Sequence, residues 1–297
     1  MTQAALLEIE TETADAAQSR HSGPLAGKPI SIRSGFKASS FKHAMFDGLM
    51  DPMVMVDHYL MGEPTFGAHP HAGMSAVTVL FEDSCGVFNN RDSLGNDIDL
   101  EAGDLYWLKA GSGAVHDEKP MHGALAHGLQ MFVNLPAHMK HDDPEALHVR
   151  AKAMPVIEGN GGKVRLVLGE SNGVIGATSP ALPMTILDAK IDAGGYFEHD
   201  VAFGHSQWIL AVDEAVEVTI SNQTMTLPAG EALAISARQN REALTLRARA
   251  ESHAVIVTGE PIAQPFIQRG PFVMSTEAEI AEVEAAHRAG RLGKLSG

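Results

Sequence analysis

Short apolar runs of strand length dominate the sequence from residue 29 onward, and they constrain the fold more than any other feature. Runs such as MVMVDHYL, SAVTVLFE and HGLQMFVNL alternate with glycine, proline, asparagine and aspartate, which favour turns. No long segment of helical periodicity separates these runs. Several short strands at this spacing are typical of a β-sandwich or β-barrel. The sequence therefore predicts an all-β fold.

The strand pattern occurs twice, on either side of a polar segment at residues 137–155. A second set of runs, including KVRLVLGE, MTILDAKID and AVIVTGEP, follows that segment. The phrase DIDLEAGDLYWL (97–108) resembles QTMTLPAGEALAIS (223–236), because each reads as a strand, an Ala-Gly-acid turn and another strand. This weak internal repeat indicates two copies of one β-fold.

The two ends of the chain differ from the β-rich body. Residues 1 to about 25 are polar and rich in Ala, Thr and Glu, which predicts a loose tail. Near the C-terminus, STEAEIAEVEAAHRAGRLG has a helical pattern. Thr276 and Glu279 can form a capping box, and Gly290 can end the helix. We expect this helix to pack on the β-fold.

Composition narrows the classes of function. The formal net charge is −15, and so acidic a chain is repelled by phosphate backbones and anionic lipid, which predicts no direct binding to nucleic acid or membrane. The single cysteine, Cys85, allows no intrachain disulfide and is interpreted as a structural or incidental thiol. The N-terminus lacks the pattern of a signal peptide, and no run of 18 apolar residues exists. We predict a cytoplasmic protein.

Two pairs of metal-binding side chains share one spacing. GAHPHAG holds His69 and His71, and AVHDEKP holds His116 and Glu118. Alternate side chains of a strand point to the same face, so each pair projects together if its segment is extended. If the pairs face one another, three imidazoles and one carboxylate form a site that suits Fe(II), Mn, Ni, Cu or Zn.

Neither pair alone indicates a metal. The chain has 15 histidines, so such pairs arise by chance on surfaces and in cores. Their context adds weight, because both pairs lie in glycine-rich turn sequence between predicted strands. Gly111 and Gly113 would let the backbone return close to a shared site.

These phrases resemble the two motifs of the cupin superfamily and, more closely, the pirin family. The resemblance is carried by DPMVMVDHY, HPHAG, RDSLGN, GDLYWLKAGSGAVHDEKP, GLQMFVNLP and QPFIQRGPFVMST. It implies two cupin-type β-barrels, of the double-stranded β-helix or jelly-roll kind. The expected divisions are a flexible tail (1–27), a metal-binding barrel (28–148), a barrel without metal (149–270) and a C-terminal extension with a helix (271–297).

The resemblance also implies the ligands. His69, His71, His116 and Glu118 match the pirin metal set, with one divalent transition metal per chain and Fe(II) preferred over Mn, Ni, Cu and Zn. In the second half, His199 and His205 are six residues apart with no matching His-x-Glu. We interpret both as structural.

The chain departs from the usual pirin pattern at several positions. After HPH, Ala72 and Ser75 replace the residues that pirins commonly carry. The resemblance therefore does not predict which polar groups surround the site. His58 stands where an acidic residue is usual and is a hypothetical entrance residue. Asn89 and Asn90 precede RDSLGN, where pirins often have another histidine, so substrate preference can differ.

The implied function is metal-dependent oxidation. Some pirins resemble quercetin dioxygenases, which implies ring cleavage of a flavonol with O2 and Glu118 as both ligand and base. The alternatives are a metal-containing regulatory protein that acts on a transcription factor or metabolic enzyme, and a metal-dependent isomerase or lyase on the same fold. Candidate residues for an aromatic pocket, most of which are also compatible with an ordinary core, are His58, Met74, Ser75, Trp107 and Phe132, together with Met53, Met55 and Phe66.

Overall fold

A computed structural model describes residues 20–237 and 242–295. Its first strands belong to the N-terminal half of the chain. They are β1 (Arg20–His21), β2 (Leu25–Ala26), β3 (Lys28–Ile32), β4 (Phe36–Lys42), β5 (Met53–Met61), β6 (His69–His71), β7 (Met74–Leu80), β8 (Phe88–Asp92), β9 (Asp97–Leu100), β10 (Leu105–Lys109), β11 (Ala114–Pro120), β12 (Ala126–Asn134) and β13 (Glu145–Val149). Short 3-10 turns occupy His43–Phe46, Ala137–Met139 and Ala151–Ala153.

The remaining elements follow the polar segment. The strands are β14 (Val156–Gly159), β15 (Gly162–Leu168), β16 (Glu170–Ser171), β17 (Val174–Ile175), β18 (Met184–Ile191), β19 (Tyr196–Val201), β20 (Ser206–Ala211), β21 (Val216–Ile220), β22 (Gln223–Leu227), β23 (Glu231–Ser236), β24 (Glu242–Ala248), β25 (Ser252–Gly259), β26 (Ile267–Arg269) and β27 (Phe272–Met274). One α-helix in the described residues, α1, spans Glu277–Arg288, and none there combines the length and apolar character needed to cross a membrane.

The strands form two β-barrel units with the same order. In the first, a seven-stranded sheet runs β13-β10-β7-β12-β5-β4-β3 and faces a four-stranded sheet, β6-β11-β8-β9. In the second, β1-β23-β20-β25-β18-β15-β14 faces β19-β24-β21-β22. The repeated phrase in the sequence lies on β9–β10 and on β22–β23, which hold equivalent places. The all-β prediction with two copies of one fold is confirmed.

Strand alternation divides the buried side chains between two kinds of core. On β25, Ala254 and Ile256 lie inside the second barrel, whereas Val255 and Val257 face the first unit. The largest apolar cluster combines side chains of both large sheets, including the buried Trp107 and Trp208. The two barrels therefore pack back to back through one continuous core, and their four-stranded sheets lie on the outer sides.

The predicted N-terminal tail is wrong for residues 20–26. Strands β1 and β2 both pair antiparallel with β23 of the second barrel. A two-residue strand has too little pattern to be found in a sequence, and its hydrogen-bonding partner lies more than 200 residues away. Residues 1–19 lie outside the described residues.

The C-terminal extension returns to the first barrel. Phe272 bridges to Ala72, and the Val273 amide donates to the Ala72 carbonyl at 3.0 Å. Helix α1 begins with the expected capping box, since the Thr276 side chain accepts from the Glu279 amide. The helix ends at Arg288, two residues before Gly290. The extension thus covers the barrel next to the His-x-His segment.

Candidate metal centre

The three histidines of the two motifs meet at the mouth of the first barrel. Strands β6 and β11 pair antiparallel with His116 opposite His69. The Nε2 atom of His116 lies 3.0 Å from Nε2 of His69 and 3.0 Å from Nε2 of His71. Alternation along β6 turns both of its histidines to one side, so the sheet register alone brings the rings together.

Backbone carbonyls fix the orientation of two of these rings. Nδ1 of His69 is 2.8 Å from the Gly67 carbonyl, and Nδ1 of His71 is 3.3 Å from the Pro271 carbonyl. A carbonyl only accepts, so both Nδ1 atoms carry the proton and both Nε2 atoms keep a lone pair. Even if His116 carries a proton on Nε2, that single N–H cannot form well-aligned hydrogen bonds with the lone pairs of both His69 and His71. Lone pairs directed at one point are the arrangement that suits a bound cation.

Burial keeps the imidazoles of His71 and His116 neutral by lowering their pKa values. Burial, with a further contribution from His69, lowers the pKa of His71 to about 3. Burial and the two neighbouring histidines hold the pKa of His116 well below its usual range. A metal ligand must be deprotonated at the ligating nitrogen, and these side chains meet that condition at neutral pH.

Glu118 is near the histidines but is not part of their closest grouping. Among the described residues, the three histidines form a group of potential metal-ligand side chains whose ligand atoms all lie within 4.8 Å of one another, and Glu118 is not a member of it. Glu118 Oε2 is 3.9 Å from His116 Nδ1. Oε1 accepts from the Thr78 hydroxyl at 2.6 Å and from Asn90 Nδ2 at 2.7 Å. Burial raises the pKa of Glu118 to about 7.

A cavity of about 210 Å³ opens beside these groups. His69, His71 and Glu118 line one end of it. The Phe132 ring lies with its centroid 5.1 Å from that of His71. The other lining residues are Phe36, Met55, Asp57, Tyr59, Met61, Phe66, Phe88 and Gln130. The wall is mainly aromatic and thioether, with a few polar groups directed inward, as in many small-molecule sites.

Among the pocket candidates His58, Met74, Ser75, Trp107 and Phe132, only Phe132 lines this cavity. His58 does not, because Asp57 and Tyr59 on either side of it face the cavity. Its Nε2 instead lies 2.9 Å from Nε2 of His127. Ser75 and Trp107 are fully buried, and Trp107 belongs to the core between the barrels.

The broader set of aromatic and methionine candidates is also divided. Met55 and Phe66 line the cavity. Met53 lies in the core between the barrels, and Met74 packs beside it in a separate cluster with Val273. Residue type alone does not distinguish these cases, since Met53 and Met55 differ only in the surroundings that each meets.

Sequence reasoning missed several polar residues of the site. Asp57, Tyr59 and Gln130 line the cavity, and Thr78 holds Glu118. Asp57 and Tyr59 are alternate residues after Met55 on β5, so they share its face. Once Met55 was a pocket candidate, this spacing could have indicated them as well. No local signal could have indicated the Pro271 carbonyl, which is 200 residues from His71.

Comparison with known proteins identifies the family. A sequence profile described as Pirin matches residues 28–133, and one described as the pirin C-terminal cupin domain matches residues 186–293. Pirin from Homo sapiens is 30% identical over 242 residues, which cover 78% of this chain and 80% of that protein. The chain belongs to the pirin family.

Other pirin relatives and a solved structure extend the match. Pirin-like protein 2 from Arabidopsis thaliana is 30% identical over 253 residues, covering 84% of this chain and 76% of that protein. A crystal structure of quercetin 2,3-dioxygenase from Acinetobacter baumannii superposes with a TM-score of 0.81 at 27% identity, covering 94% of this chain and 99% of that one. The fold is that of a pirin-family bicupin.

The second barrel offers different side chains at the equivalent place. His199 on β19 faces Leu244 on β24, in the arrangement that places His69 opposite His116 in the first barrel. Leu244 and Leu246 belong to the apolar interior. The His199 Nδ1 atom is 2.9 Å from the Ser171 hydroxyl. The described part of this barrel therefore presents one histidine, His199, with leucines where the first barrel has His116 and Glu118.

Replacing Gly73 with alanine is expected to separate the C-terminal extension from the metal centre. Gly73 has φ +71°, and a Cβ there would lie 2.0 Å from the Val273 carbonyl oxygen. We expect a loss of about 1–3 kcal/mol in the free energy of unfolding. Metal affinity should fall about 10- to 100-fold, because the displaced extension carries the Pro271 carbonyl that orients His71.

Gly123→Ala is the matched control. Gly123 has φ +79°, and no atom lies within 4 Å of its Cβ position. Both variants place an alanine at a positive φ and therefore share that conformational cost. The difference between their free energies of unfolding, measured in urea, reports the steric clash with Val273. Equal losses of stability in both variants would contradict the proposed role of Gly73.

The metal-free protein is expected to be less stable at pH 5 than at pH 7. Burial lowers the pKa values of His58 and His199 to about 4 and of His71 to about 3. Below about pH 6.5 the unfolded chain therefore binds protons that the folded chain does not, which favours unfolding. Glu118 opposes this between pH 4.5 and 7, because its folded pKa is about 7.

The combined effect of His58, His71 and His199 is larger than the opposing effect of Glu118. The free energy of unfolding is therefore expected to be roughly 2–4 kcal/mol lower at pH 5 than at pH 7. Urea unfolding of the chelator-treated protein at both pH values measures it. Equal or greater stability at pH 5 would show that these histidines are protonated in the folded protein.

Proposed function

We propose that this protein is a metal-dependent oxidoreductase that cleaves a ring of a flavonol such as quercetin by dioxygenation. The metal would be held by His69, His71, His116 and Glu118, with Fe(II) the preferred ion. The observation that carries the proposal is the convergence of three imidazoles beside an aromatic-lined cavity, with the Nε2 atoms of His69 and His71 each 3.0 Å from Nε2 of His116. Similarity over nearly its full length to a quercetin 2,3-dioxygenase supports the choice of reaction.

The side chains present fit a divalent transition metal. Neutral imidazoles with a nearby carboxylate are a common donor set for iron, manganese, nickel, copper and zinc. The Gly67 and Pro271 carbonyls set the ring orientation that a ligand histidine needs. When bound, such a metal supplies a Lewis-acid centre and, in the case of iron, redox chemistry with oxygen.

Glu118 would act as the base toward the substrate. Its Oε1 atom already accepts from Thr78 and Asn90, which leaves Oε2 to accept a proton from a flavonol hydroxyl. Burial raises the pKa of the Glu118 carboxyl, which makes the carboxylate a better proton acceptor than an exposed one. The aromatic wall, with Phe132 against His71, would orient the flat ring and exclude water.

Oxygen consumption tests the proposal. The metal-loaded protein is mixed with quercetin in an oxygen electrode, and uptake of about one O2 per flavonol is expected, since a dioxygenase transfers both oxygen atoms to its substrate. Chelator-treated protein is the control. Protein that retains its metal but consumes no oxygen with flavonols would refute the dioxygenase function and favour the regulatory binding protein.

A further inference from the structure

A row of polar side chains crosses the floor of the first barrel, and the metal centre does not account for it. Ser40 is the register partner of Asp57, Asp57 that of Gln130, and Gln130 that of Thr78. The Thr78 hydroxyl lies 2.8 Å from the Gln130 side-chain amide and 2.6 Å from Glu118. The row therefore leads from Glu118 across three neighbouring strands, β7, β12 and β5, to a second carboxylate, Asp57, and Ser40 on β4 lies beyond it.

Asp57 lies towards the far end of this row, and one of its carboxylate oxygens is available to accept a hydrogen bond. It lines the cavity. Its Oδ1 atom is buried and, among the described residues, has no hydrogen bond of good geometry. Burial raises the pKa of Asp57, and the adjacent Ser40 hydroxyl offsets this effect only in part. A buried carboxylate oxygen without a partner costs free energy. A donor from a ligand in the cavity would remove that cost.

The charge of the cavity restricts what that ligand is. Asp57 and Glu118 are both acidic, and none of the described lining residues is lysine or arginine. At the Asp57 end of the cavity, a ligand carboxylate would meet a like charge in a poorly solvated space, with no lysine or arginine in the described lining to offset it. A neutral ligand with hydroxyl donors meets two acceptors instead.

The shape of the cavity restricts the ligand further. Rings of Phe36, Phe88 and Phe132 form part of its wall. Its volume of about 210 Å³ is below the roughly 300 Å³ at which pockets for larger organic ligands begin. One aromatic ring fits inside, and any further ring would project past Phe66, which is 41% exposed.

We infer that Asp57 determines specificity by accepting a hydrogen bond from a ring hydroxyl of a neutral phenolic ligand, and that the cavity rejects aromatic carboxylates. This inference deepens the proposed function and rests on it for the location of the ligand. Asp57 positions and selects the ring, whereas Glu118 faces the histidines.

Binding under anaerobic conditions tests the inference. Metal-loaded protein is titrated calorimetrically with catechol and with 3,4-dihydroxybenzoate, which differ by one carboxylate. The wild-type protein is expected to bind catechol at least about tenfold more tightly. In Asp57→Asn the catechol affinity should fall about tenfold, and the preference over the benzoate should shrink to less than about threefold. Asp192→Asn removes an equal charge at an exposed position of the second barrel and should keep the wild-type preference.

Two results would overturn the inference. One is a wild-type protein that binds the benzoate as tightly as catechol or binds neither. The other is an unchanged preference in a folded Asp57→Asn protein. Because the readout is binding, it is separate from turnover. Retained preference for catechol without oxygen uptake would refute the dioxygenase proposal and leave the role of Asp57 standing.

Discussion

Replacing His69 and His71 together with alanine is expected to abolish metal binding, from about one transition metal ion per chain to almost none. The variant removes two of the three Nε2 donors, namely the two that lie 3.0 Å from Nε2 of His116. A single remaining imidazole and a carboxylate cannot hold a divalent ion against a chelator at neutral pH. Elemental analysis of purified protein, before and after reloading with Fe(II), Mn(II), Ni(II) and Zn(II), measures the content and shows which ion is retained.

His199→Ala is the matched control for this loss. His199 is also a buried histidine on the equivalent strand of the second barrel, but it faces Leu244. We expect this variant to lose some stability and to keep its metal. A folded wild-type protein that holds no metal even after reloading would refute the metal centre, and with it the dioxygenase mechanism.

Replacing Glu118 with glutamine is expected to reduce flavonol-dependent oxygen uptake at least about 100-fold. The amide retains the shape of the side chain and can still accept from Thr78 and Asn90 through its oxygen. It cannot take a proton from the substrate, and general bases contribute roughly 100- to 10,000-fold to such reactions. The initial rate of uptake at saturating quercetin, divided by the measured metal content, separates loss of the base from loss of the metal.

Asp117→Asn is the control for Glu118→Gln. Asp117 is the neighbour of Glu118 on β11, and its carboxylate pairs with Arg91 at 3.3 Å and Lys119 at 3.6 Å, away from the cavity. Uptake by this variant should stay within about threefold of the wild type. Full activity in Glu118→Gln would show that another group accepts the proton, whereas loss of the metal would show that Glu118 acts chiefly as a ligand.

The ligand motifs were predictable because their geometry is local. In a strand, residues i and i+2 share a face, so HPH and HDE each present two side chains together wherever the strand lies. The β-class and the internal repeat followed from patterns of the same range. Strand pairing then set His69 opposite His116, which the sequence made a strong expectation through its glycine-rich turns and its resemblance to pirins.

The pocket was less predictable because it depends on which face of each strand looks inward. His58 was a reasonable entrance candidate by position, yet Asp57 is the residue that faces the cavity. A strand in the large sheet between the two barrels is buried on both faces. Burial and apolar character therefore do not distinguish the face that looks into the barrel from the face that packs against the other barrel. Trp107 is fully buried for this reason and still lies outside the cavity.

By itself, the sequence determined the all-β class, the duplication, the terminal helix and the two pairs of candidate ligand residues, since each of these follows from patterns within single strands, turns or helices. Only the tertiary structure decided how the site is completed. It brought the Pro271 carbonyl to His71, connected Glu118 with Asp57 across three neighbouring strands, and set Glu118 slightly apart from the histidines. Such contacts join residues distant in sequence, and packing and strand register select them rather than local preference.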